Sequence, residues 1–390
     1  MRYSSHFKFG RRRGERVQRP SHAAPKMDLS KLVNKASPAP EVAFTPQHHF
    51  QDFALNSIVK ANVRSKGYKT PTPIQDKAIP PIIAGRDVVG IAQTGTGKTA
   101  AFLLPLITKV AINRHERVLV LAPTRELSLQ IYEEFSAFSA GLGLGAVLCV
   151  GGLNIGPQIS ALRRNPNFII ATPGRLKDLV QQKCVHLERF HTLVLDEADR
   201  MVDMGFIRDI KFLLGFMPRE RHSLFFSATI SPEVHSLIQQ FLRNPVTVSV
   251  KSRDTASNVD QDIIRVQDKF KKFDMLVELL NKPEFSKVLI FGRTKYGVEK
   301  LSIKLANRNF KVASIHSNKS QSQRQKALSL FKKHVIRILV ATDVAARGLD
   351  ISDVSHVINY DMPNSYDDYI HRIGRTGRAD KAGKALTFVE

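Results

Sequence analysis

A segment rich in glycine and threonine is the first place in this sequence where residue types and spacing could do chemistry. Residues 92–99 read Ala-Gln-Thr-Gly-Thr-Gly-Lys-Thr, which fits the pattern Gly-x-x-x-x-Gly-Lys-[Ser/Thr] except for Ala92 at the first position. In such a loop, glycines let successive backbone N–H groups face one anion, and the helix that follows adds the positive end of its dipole. The segment therefore predicts a loop that binds the phosphates of a nucleoside triphosphate. Its candidate residues are Thr94, Gly95, Thr96, Gly97, Lys98 and Thr99.

An acidic segment, Asp196-Glu197-Ala198-Asp199, follows an apolar run at residues 192–195. We expect Lys98 to reach the β- and γ-phosphates, and Thr99 and Asp196 to hold Mg²⁺. Glu197 would then orient or deprotonate the attacking water. Either segment alone is compatible with a plain turn or a helix cap. Because both occur in this order and each follows a predicted strand, they favour a site of nucleotide hydrolysis.

The length and the charge of the chain limit its architecture and its partners. With 390 residues it exceeds what one hydrophobic core normally supports, which predicts two domains. A formal net charge of +24 indicates a polyanionic partner. Nucleic acid is the first candidate and an anionic membrane surface is the alternative, but no apolar stretch is long enough to span a bilayer.

The ends and the cysteines indicate the compartment. Arginines interrupt the N-terminal residues, so a secretory signal is not expected, although an Arg-rich start also resembles an organellar targeting peptide. Only Cys149 and Cys184 are present, and neither has the spacing of a metal ligand or of a disulfide framework. These features predict a cytoplasmic protein.

The order of apolar and polar runs predicts an α/β fold. Residues 1–47 lack a periodic pattern and predict a disordered basic tail, which serves either as solubilising charge or as a nonspecific RNA contact. Beyond it, apolar runs alternate with amphipathic ones, as in parallel sheets covered by helices on both faces. The runs predict a helix at residues 100–110 and strands at residues 87–91, 117–122, 168–171, 192–195, 223–226, 287–291, 311–315, 336–341 and 356–360. We predict a first domain at residues 48–247, a linker at 248–262 and a second domain at 263–390.

Several further motifs, taken in their order, make residues 50–390 resemble the DEAD-box family of ATP-dependent RNA helicases. They include Gly-Tyr-Lys-Thr-Pro-Thr-Pro-Ile-Gln at 67–75, the Asp-Glu-Ala-Asp segment, and His-Arg-Ile-Gly-Arg-Thr-Gly-Arg at 371–378. The resemblance implies two tandem RecA-like domains, with ATP as the nucleotide and Mg²⁺ as its metal. The basic head is similar to that of short bacterial members of the RhlE type. Family cores continue through a further helix, so the resemblance leaves two expectations open, a trimmed second domain or an absent C-terminal tail.

The resemblance also assigns nucleotide contacts. Gln75 would read the adenine edge through its donor and its acceptor, Tyr68 would offer a stacking face, and Phe50 stands where the family carries an isolated aromatic residue. In the second domain, Gly348 and Asp350 would face the nucleotide, Asp350 at the ribose.

RNA contacts are implied at short motifs in both domains. Hydroxyls, glycine turns and arginines suit sugar and phosphate groups, so binding would not depend on base sequence. The candidates are Pro123, Thr124, Arg125, Gly151, Gly152, Thr172 and Arg175 in the first domain, and Arg293, Gln321, Arg324 and Thr342 in the second.

The remaining family positions would couple the two activities. Ser227 and Thr229 would bond the acidic cluster near Asp199 and link hydrolysis to strand separation, together with His371. By resemblance, Arg375 and Arg378 are fingers that reach the γ-phosphate held by the other domain, so that hydrolysis requires domain closure.

The expected function is RNA-stimulated ATP hydrolysis coupled to local, non-processive unwinding of short RNA duplexes or to remodelling of RNA–protein complexes, by a monomeric core. Two alternatives stay open. An ATP-gated RNA clamp would hydrolyse ATP only to time its release, and a DNA translocase would prefer DNA as its activator.

Overall fold

A computed structural model describes residues 32–35, 44–93, 95–250, 259–268, 270–346, 354–377 and 383–390. The strands are β1 Val88–Ile91, β2 Val118–Leu121, β3 Ala146–Cys149, β4 Phe168–Ala171, β5 Thr192–Leu195, β6 His222–Ser227, β7 Val246–Ser249, β8 Val259–Arg265, β9 Val288–Phe291, β10 Val312–Ile315, β11 Ile338–Ala341, β12 His356–Asn359 and β13 Gly383–Val389. The helices are α1 Ser57–Ser65, α2 Pro73–Ile83, α3 Lys98–Ile112, α4 Arg125–Phe138, α5 Ile155–Leu162, α6 Pro173–Gln181, α7 Ala198–Asp203, α8 Ile207–Leu214, α9 Pro232–Phe241, α10 Lys272–Leu280, α11 Lys295–Ala306, α12 Gln321–Lys332, α13 Asp343–Ala346 and α14 Tyr366–Ile373.

The first domain is built on a seven-stranded sheet with the strand order β3-β4-β2-β5-β6-β1-β7. All its pairings are parallel, for example Val118 with Thr192 between β2 and β5. Along β2, Val118 and Val120 belong to one buried apolar cluster, while Leu119 and Leu121 belong to another. Successive side chains of a strand point to opposite faces. The sheet is therefore covered on both faces, as continuous apolar runs in parallel strands require.

The second domain repeats this plan with six parallel strands in the order β10-β11-β9-β12-β13-β8. The side chains of its central strand β9 also alternate between two apolar clusters. Leu289 and Phe291 join one apolar cluster, and Val288 and Ile290 join the other. The predicted fold class is thus confirmed, with two sheets of one class in sequence.

Site residues follow the carboxyl ends of strands in both domains. In a parallel sheet these ends meet at one edge, where ligands normally bind. Helix caps fix the start of several helices there, including Thr124, whose hydroxyl accepts the amide N–H of Leu127, and Ser320, which forms a capping box with Gln323.

The predicted strands and the predicted helix are all present, with end shifts of one or two residues. β3, β7, β8 and β13 were not predicted. β7 pairs with β1 in the first sheet, and β8 pairs with β13 in the second, so strands occupy both ends of the predicted linker. Their short or polar sequences become strands through pairing rather than through a local pattern.

The N-terminal prediction also differs from the structure. Asn34 pairs with Gln261 of β8 in an antiparallel bridge, and Leu32 is fully buried in the second domain. These residues, and those from Phe44 onward, therefore make ordered contacts within the segment predicted as a disordered tail. The rest of that tail lies outside the described residues.

Candidate active site and RNA-contact surface

The phosphate loop connects β1 to α3 through two glycines in left-handed conformations. Gly95 has φ +84° and Gly97 has φ +92°, values that side chains rarely allow. Lys98 is buried at the first turn of α3, and its Nζ donates to the Ala92 carbonyl at 2.9 Å. The hydroxyl of Thr96 donates to the Gln93 carbonyl at 2.8 Å. These bonds fix the path of the loop, while Thr94 lies outside the described residues.

Gln75 connects the segment before α2 to this loop. Its side chain is fully buried, its Nε2 donates to the Gly97 carbonyl at 3.1 Å, and its Oε1 accepts the Thr72 amide at 2.9 Å. A Cβ at Gly97 would collide with Nε2 of Gln75. Both ends of the Gln75 amide form hydrogen bonds within the protein, and its contact with adenine stays a prediction.

The two predicted nucleotide-facing aromatic residues lie in the core of the first domain. Phe50 is buried, and the half-buried ring of Tyr68 packs edge-on against Phe50 at 6.0 Å and against Phe138 at 5.7 Å. Burial, and then the nearby Glu134, raise the pKa of Tyr68 to about 12. The rings serve packing here, and their stacking on adenine stays a prediction.

Asp196 is a fully buried carboxyl at the end of β5. Burial raises its pKa to about 6; Lys98 opposes this rise, whereas Glu197 and Asp199 add to it. Its Oδ1 accepts the Glu197 amide at 3.0 Å. Burial makes ionisation of this carboxyl costly, and a bound cation would offset that cost. Among the described residues no group of three His, Cys, Asp or Glu side chains forms a metal cage, and Mg²⁺ in nucleotide sites needs only one or two carboxylates beside the phosphates.

The predicted coupling residues meet at Asp199. Its Oδ2 accepts the amides of Ala228 and Thr229 at 3.0 and 2.9 Å and the Thr229 hydroxyl at 3.1 Å. The Asp199 amide donates to Ser227 Oγ at 3.2 Å, and that hydroxyl donates to the Thr229 carbonyl at 2.7 Å. The loop after β6 is therefore bonded directly to the acidic segment after β5.

Sequence reasoning missed the partner of Glu197. Glu197 has a left-handed backbone with φ +53° and is buried, and its Oε2 forms an ion pair with Nη1 of Arg200 on α7. The i, i+3 spacing of these opposite charges at a helix start was the available signal. Arg200 keeps the Glu197 carboxylate in one orientation.

Arginines converge on the loop after β3. Gly152 has φ +71°, and a Cβ there would collide with the guanidinium of Arg125. Arg175 donates through Nη1 and Nη2 to the Leu153 carbonyl, both at 3.2 Å. Burial lowers the pKa of Arg125, and Arg324 and Arg175 lower it further, whereas the Glu126 carboxylate raises it. Positive charges therefore gather around Arg125, as an anion site would require.

Nearby positions predicted to contact RNA fall on the same edge. Thr124 and Thr172 cap α4 and α6 and are almost buried, and Pro123 and Gly151 lie in the adjoining loops. Together with Arg125, Gly152 and Arg175, these four residues make up the first-domain part of the candidate RNA-contact surface.

The second domain meets this surface through α12. Nη2 of Arg324 lies 2.8 Å from Oε1 of Glu126, with both side chains largely buried. Gln321, at the first turn of α12, is buried, and its Oε1 finds no hydrogen-bond partner among the described residues. The exposed Arg293 donates its amide to Asp361 at 2.8 Å. Thr342 begins the turn of α13 by accepting the amides of Ala345 and Ala346.

Arg372, to which the sequence analysis assigned no role, fixes the position of helix α14 just before the predicted finger Arg375. Arg372 on α14 donates to both carboxylate oxygens of Asp343 at 2.6 and 2.7 Å, to Asn359 at 3.1 Å and to the Asp361 carbonyl at 2.7 Å. Arg375 is buried in the turn that follows α14. His371 lies on α14, half-buried, whereas Gly348, Asp350 and Arg378 lie outside the described residues.

Comparisons with known proteins agree with this arrangement. The family model "DEAD/DEAH box helicase" matches residues 72–237, and the model "Helicase conserved C-terminal domain" matches residues 271–380. The DEAD-box ATP-dependent RNA helicase CshA of Bacillus licheniformis is 44% identical over 342 residues, which make up 87% of this chain and 70% of that protein. CshA of Geobacillus kaustophilus is 45% identical over the same length, which is 73% of that protein.

This chain belongs to the DEAD-box helicase family. It is an ATP-dependent RNA helicase with two RecA-like domains, as predicted. Likeness to the RhlE type stays a prediction, since the relatives named above are CshA proteins.

This helicase is also similar to solved structures of DEAD-box proteins. Dbp5 of S. cerevisiae bound to RNA and ADP BeF3 is 30% identical with a TM-score of 0.77, and the match covers 88% of this chain and 89% of that one. A DEAD box protein from Methanococcus jannaschii is 37% identical, yet has a TM-score of 0.52 over 87% of this chain and 93% of that one. The TM-score is thus higher against the RNA-bound Dbp5 chain than against the chain from Methanococcus jannaschii.

The length and polarity of the helices can be compared with what a membrane-spanning segment needs. Within the described part of the chain, every helix is too short or too polar to cross a bilayer.

Proposed function

We propose that this helicase hydrolyses ATP in a centre divided between its domains. The first domain holds the phosphates through its loop from Gly95 to Thr99, while Glu197, oriented by Arg200, positions the attacking water. The second domain supplies Arg375 and Arg378 to the γ-phosphate. The observation that carries this proposal is the ion pair between Glu126 and Arg324, since it joins the two halves beside the arginine cluster.

RNA binding would complete the same interface. Arg324 and Arg175 repel the Arg125 guanidinium, and the Glu126 carboxylate opposes this effect. A ribose-phosphate strand across both domains would relieve the repulsion, so RNA favours closure and, by linkage, tightens ATP binding. The contacts at Gly151, Gly152, Thr172, Arg293, Gln321 and Thr342 would add backbone and hydroxyl donors to sugar and phosphate.

The metal is proposed to be Mg²⁺, held by Asp196 and Thr99 together with the phosphates. Its role would be to neutralise charge on the β- and γ-phosphates. The buried carboxyl of Asp196, with its raised pKa, supports this assignment because a cation would offset the cost of ionising it.

Replacing both fingers tests the divided centre. Arg375→Ala with Arg378→Ala should lower RNA-stimulated phosphate release by roughly 10³- to 10⁵-fold, the effect of a finger in other NTPases. The matched control is Arg308→Ala with Lys333→Ala, which removes the same charge from exposed positions of the second domain. Turnover by the finger variant at the speed of the control would refute the proposal.

Unwinding is proposed to be local and non-processive. The enzyme would separate short duplexes and fail on long ones, because each cycle opens only the strand held in the cleft. Equal rates of strand displacement on short and long duplexes would contradict this. RNA-stimulated hydrolysis without any strand displacement would favour the ATP-gated clamp. A monomeric core and a cytoplasmic location stay predictions.

A further inference from the structure

The N-terminal segment at residues 32–35 packs on the second domain, although the first domain follows it in the chain. Leu32 is fully buried in the apolar cluster that contains Val259, Tyr369 and Ile373. Asn34 exchanges two backbone hydrogen bonds with Gln261 of β8, at 3.1 and 2.8 Å. Because β8 is the last strand of its sheet, this bridge covers an otherwise open edge.

The same segment touches the helix that leads to the fingers. The hydroxyl of Tyr369 donates to Gln261 Oε1 at 2.9 Å and lies 3.5 Å from the Leu32 carbonyl. Tyr369 is on α14, which ends just before Arg375. Leu32 therefore fills space directly beneath the helix that places Arg375.

Farther along the chain, residues 47 and 48 are bonded to the first domain. The amides of Gln47 and His48 donate to Asp76 at 2.9 and 3.1 Å. Asp76 is on α2, next to Gln75, whose amide bonds the phosphate loop. About a dozen residues separate Asn34 from Gln47, a length that spans at most roughly 45 Å when fully extended. The chain thus crosses between the domains here as well as after β7.

We propose that residues 32–35 are a strand anchor that belongs to the second domain, supports the finger helix and links the two domains a second time. A second short link limits how far the domains separate, and so raises the effective concentration of one domain at the other. The anchor would thereby lower the RNA concentration needed for closure. This inference rests on the divided centre proposed above.

Leu32 and Val33 provide a matched pair of test positions. Leu32 is fully buried, whereas Val33 is 48% exposed. Leu32→Asp releases the anchor, and Val33→Asp adds the same charge without removing a buried contact. We expect Leu32→Asp to raise the RNA concentration at half-maximal ATPase about tenfold and to lower the maximal rate a few-fold, with Val33→Asp like the parent. Equal behaviour of the two variants would overturn the anchor.

Domain separation gives a readout that loss of stability alone would not move. Dyes on the first and the second domain should show lower energy transfer in ligand-free Leu32→Asp than in Val33→Asp. If Leu32→Asp unfolds the second domain, the milder Leu32→Ala replaces it, and thermal unfolding confirms that the domain is intact. An unchanged transfer efficiency in an intact Leu32 variant would also overturn the proposal.

The finger variant separates this inference from the proposed function. If Arg375→Ala with Arg378→Ala loses turnover while Leu32→Asp matches Val33→Asp, the anchor is wrong and the divided centre stands. If the finger variant retains turnover, the divided centre itself fails.

Discussion

Arg324 of the second domain lies 2.8 Å from Glu126 of the first, in an ion pair that is largely withdrawn from solvent. The two residues belong to α12 and α4, whose first turns also carry Gln321 and Arg125. One contact therefore joins the domains and orders the cluster of arginines that RNA would meet.

Glu126→Gln should weaken the RNA-driven closure. The amide keeps the shape of the side chain but leaves Arg324 without a counter-charge, and unpaired buried charges are costly. We expect the RNA concentration at half-maximal phosphate release to rise about tenfold, which corresponds to about 1.4 kcal/mol. Glu133→Gln, at an exposed position of the same helix, is the control. An unchanged RNA requirement would show that the pair does not contribute to closure.

Ser227→Ala combined with Thr229→Val should separate hydrolysis from unwinding. The double variant removes the hydroxyl bonds at Asp199 but keeps the two backbone amides that bond its Oδ2. We expect phosphate release within a few-fold of the parent and strand displacement at least about tenfold slower. Ser231→Ala removes the hydroxyl cap of α9, away from Asp199, and should cost stability, about 1 kcal/mol, without this split. Parallel loss of both activities would contradict a coupling role.

Asp196→Asn should stabilise the ligand-free protein while abolishing hydrolysis. The folded pKa of about 6 lies above the ordinary 3.8, so the stability contributed by this carboxyl is lost as pH rises through about 6. At pH 7.5 the variant should unfold a few degrees higher than the parent, with the difference vanishing near pH 4. Asp203→Asn, which removes an exposed carboxylate at the end of α7, is the control. A lower melting temperature for Asp196→Asn at pH 7.5 would count against the buried charge being costly.

Gly152→Ala should impair RNA binding through Arg125. A Cβ at Gly152 would collide with the guanidinium and would also meet an unfavourable φ of +71°. Gly143→Ala separates the two effects, because Gly143 has φ +63° but open space around it. Both variants should lose some stability, about 1 kcal/mol, but only Gly152→Ala should lower RNA affinity, by about tenfold. Equal RNA affinities would exclude the steric effect on Arg125.

Acid should destabilise the second domain in two steps. Burial, and then Lys384, lower the pKa of His356 from 6.5 to about 4, so the stability from its neutral form is lost as pH falls between those values. Hydrogen bonds from Lys319 and Ser314 lower the pKa of Glu299 from 4.5 to about 2, which places its loss at lower pH. Thermal unfolding from pH 7 to 2 should show both steps, and His356→Gln should remove the first. A variant that retains the loss between pH 6.5 and 4 would assign that step to other groups.

Much of the site could be predicted because its motifs are local. The phosphate loop needs glycines at fixed offsets before a lysine, and Gly95 and Gly97 adopt the left-handed conformations that this requirement implies. The link between Asp199 and Thr229 was implied by the family resemblance, and it forms because the loops after neighbouring parallel strands meet at one sheet edge. Central strands were recognisable for a related reason, because burial on both faces leaves a continuous apolar run.

Other features depended on which surfaces the fold brings together. The sequence around Leu32 has no periodic pattern that predicts an ordered segment. The segment is nevertheless held in place, because Leu32 packs into an apolar cluster and Asn34 forms two backbone hydrogen bonds with the edge strand β8. Likewise, the pairing of Glu126 with Arg324 joins helices of different domains. Sequence by itself determined the nucleotide, the family and the layout of two sheets, since these depend on residue type and spacing along the chain. Only the tertiary structure decided the partners of Glu197 and Arg324 and the anchor at Leu32, because contacts between distant segments depend on packing geometry that no local pattern encodes.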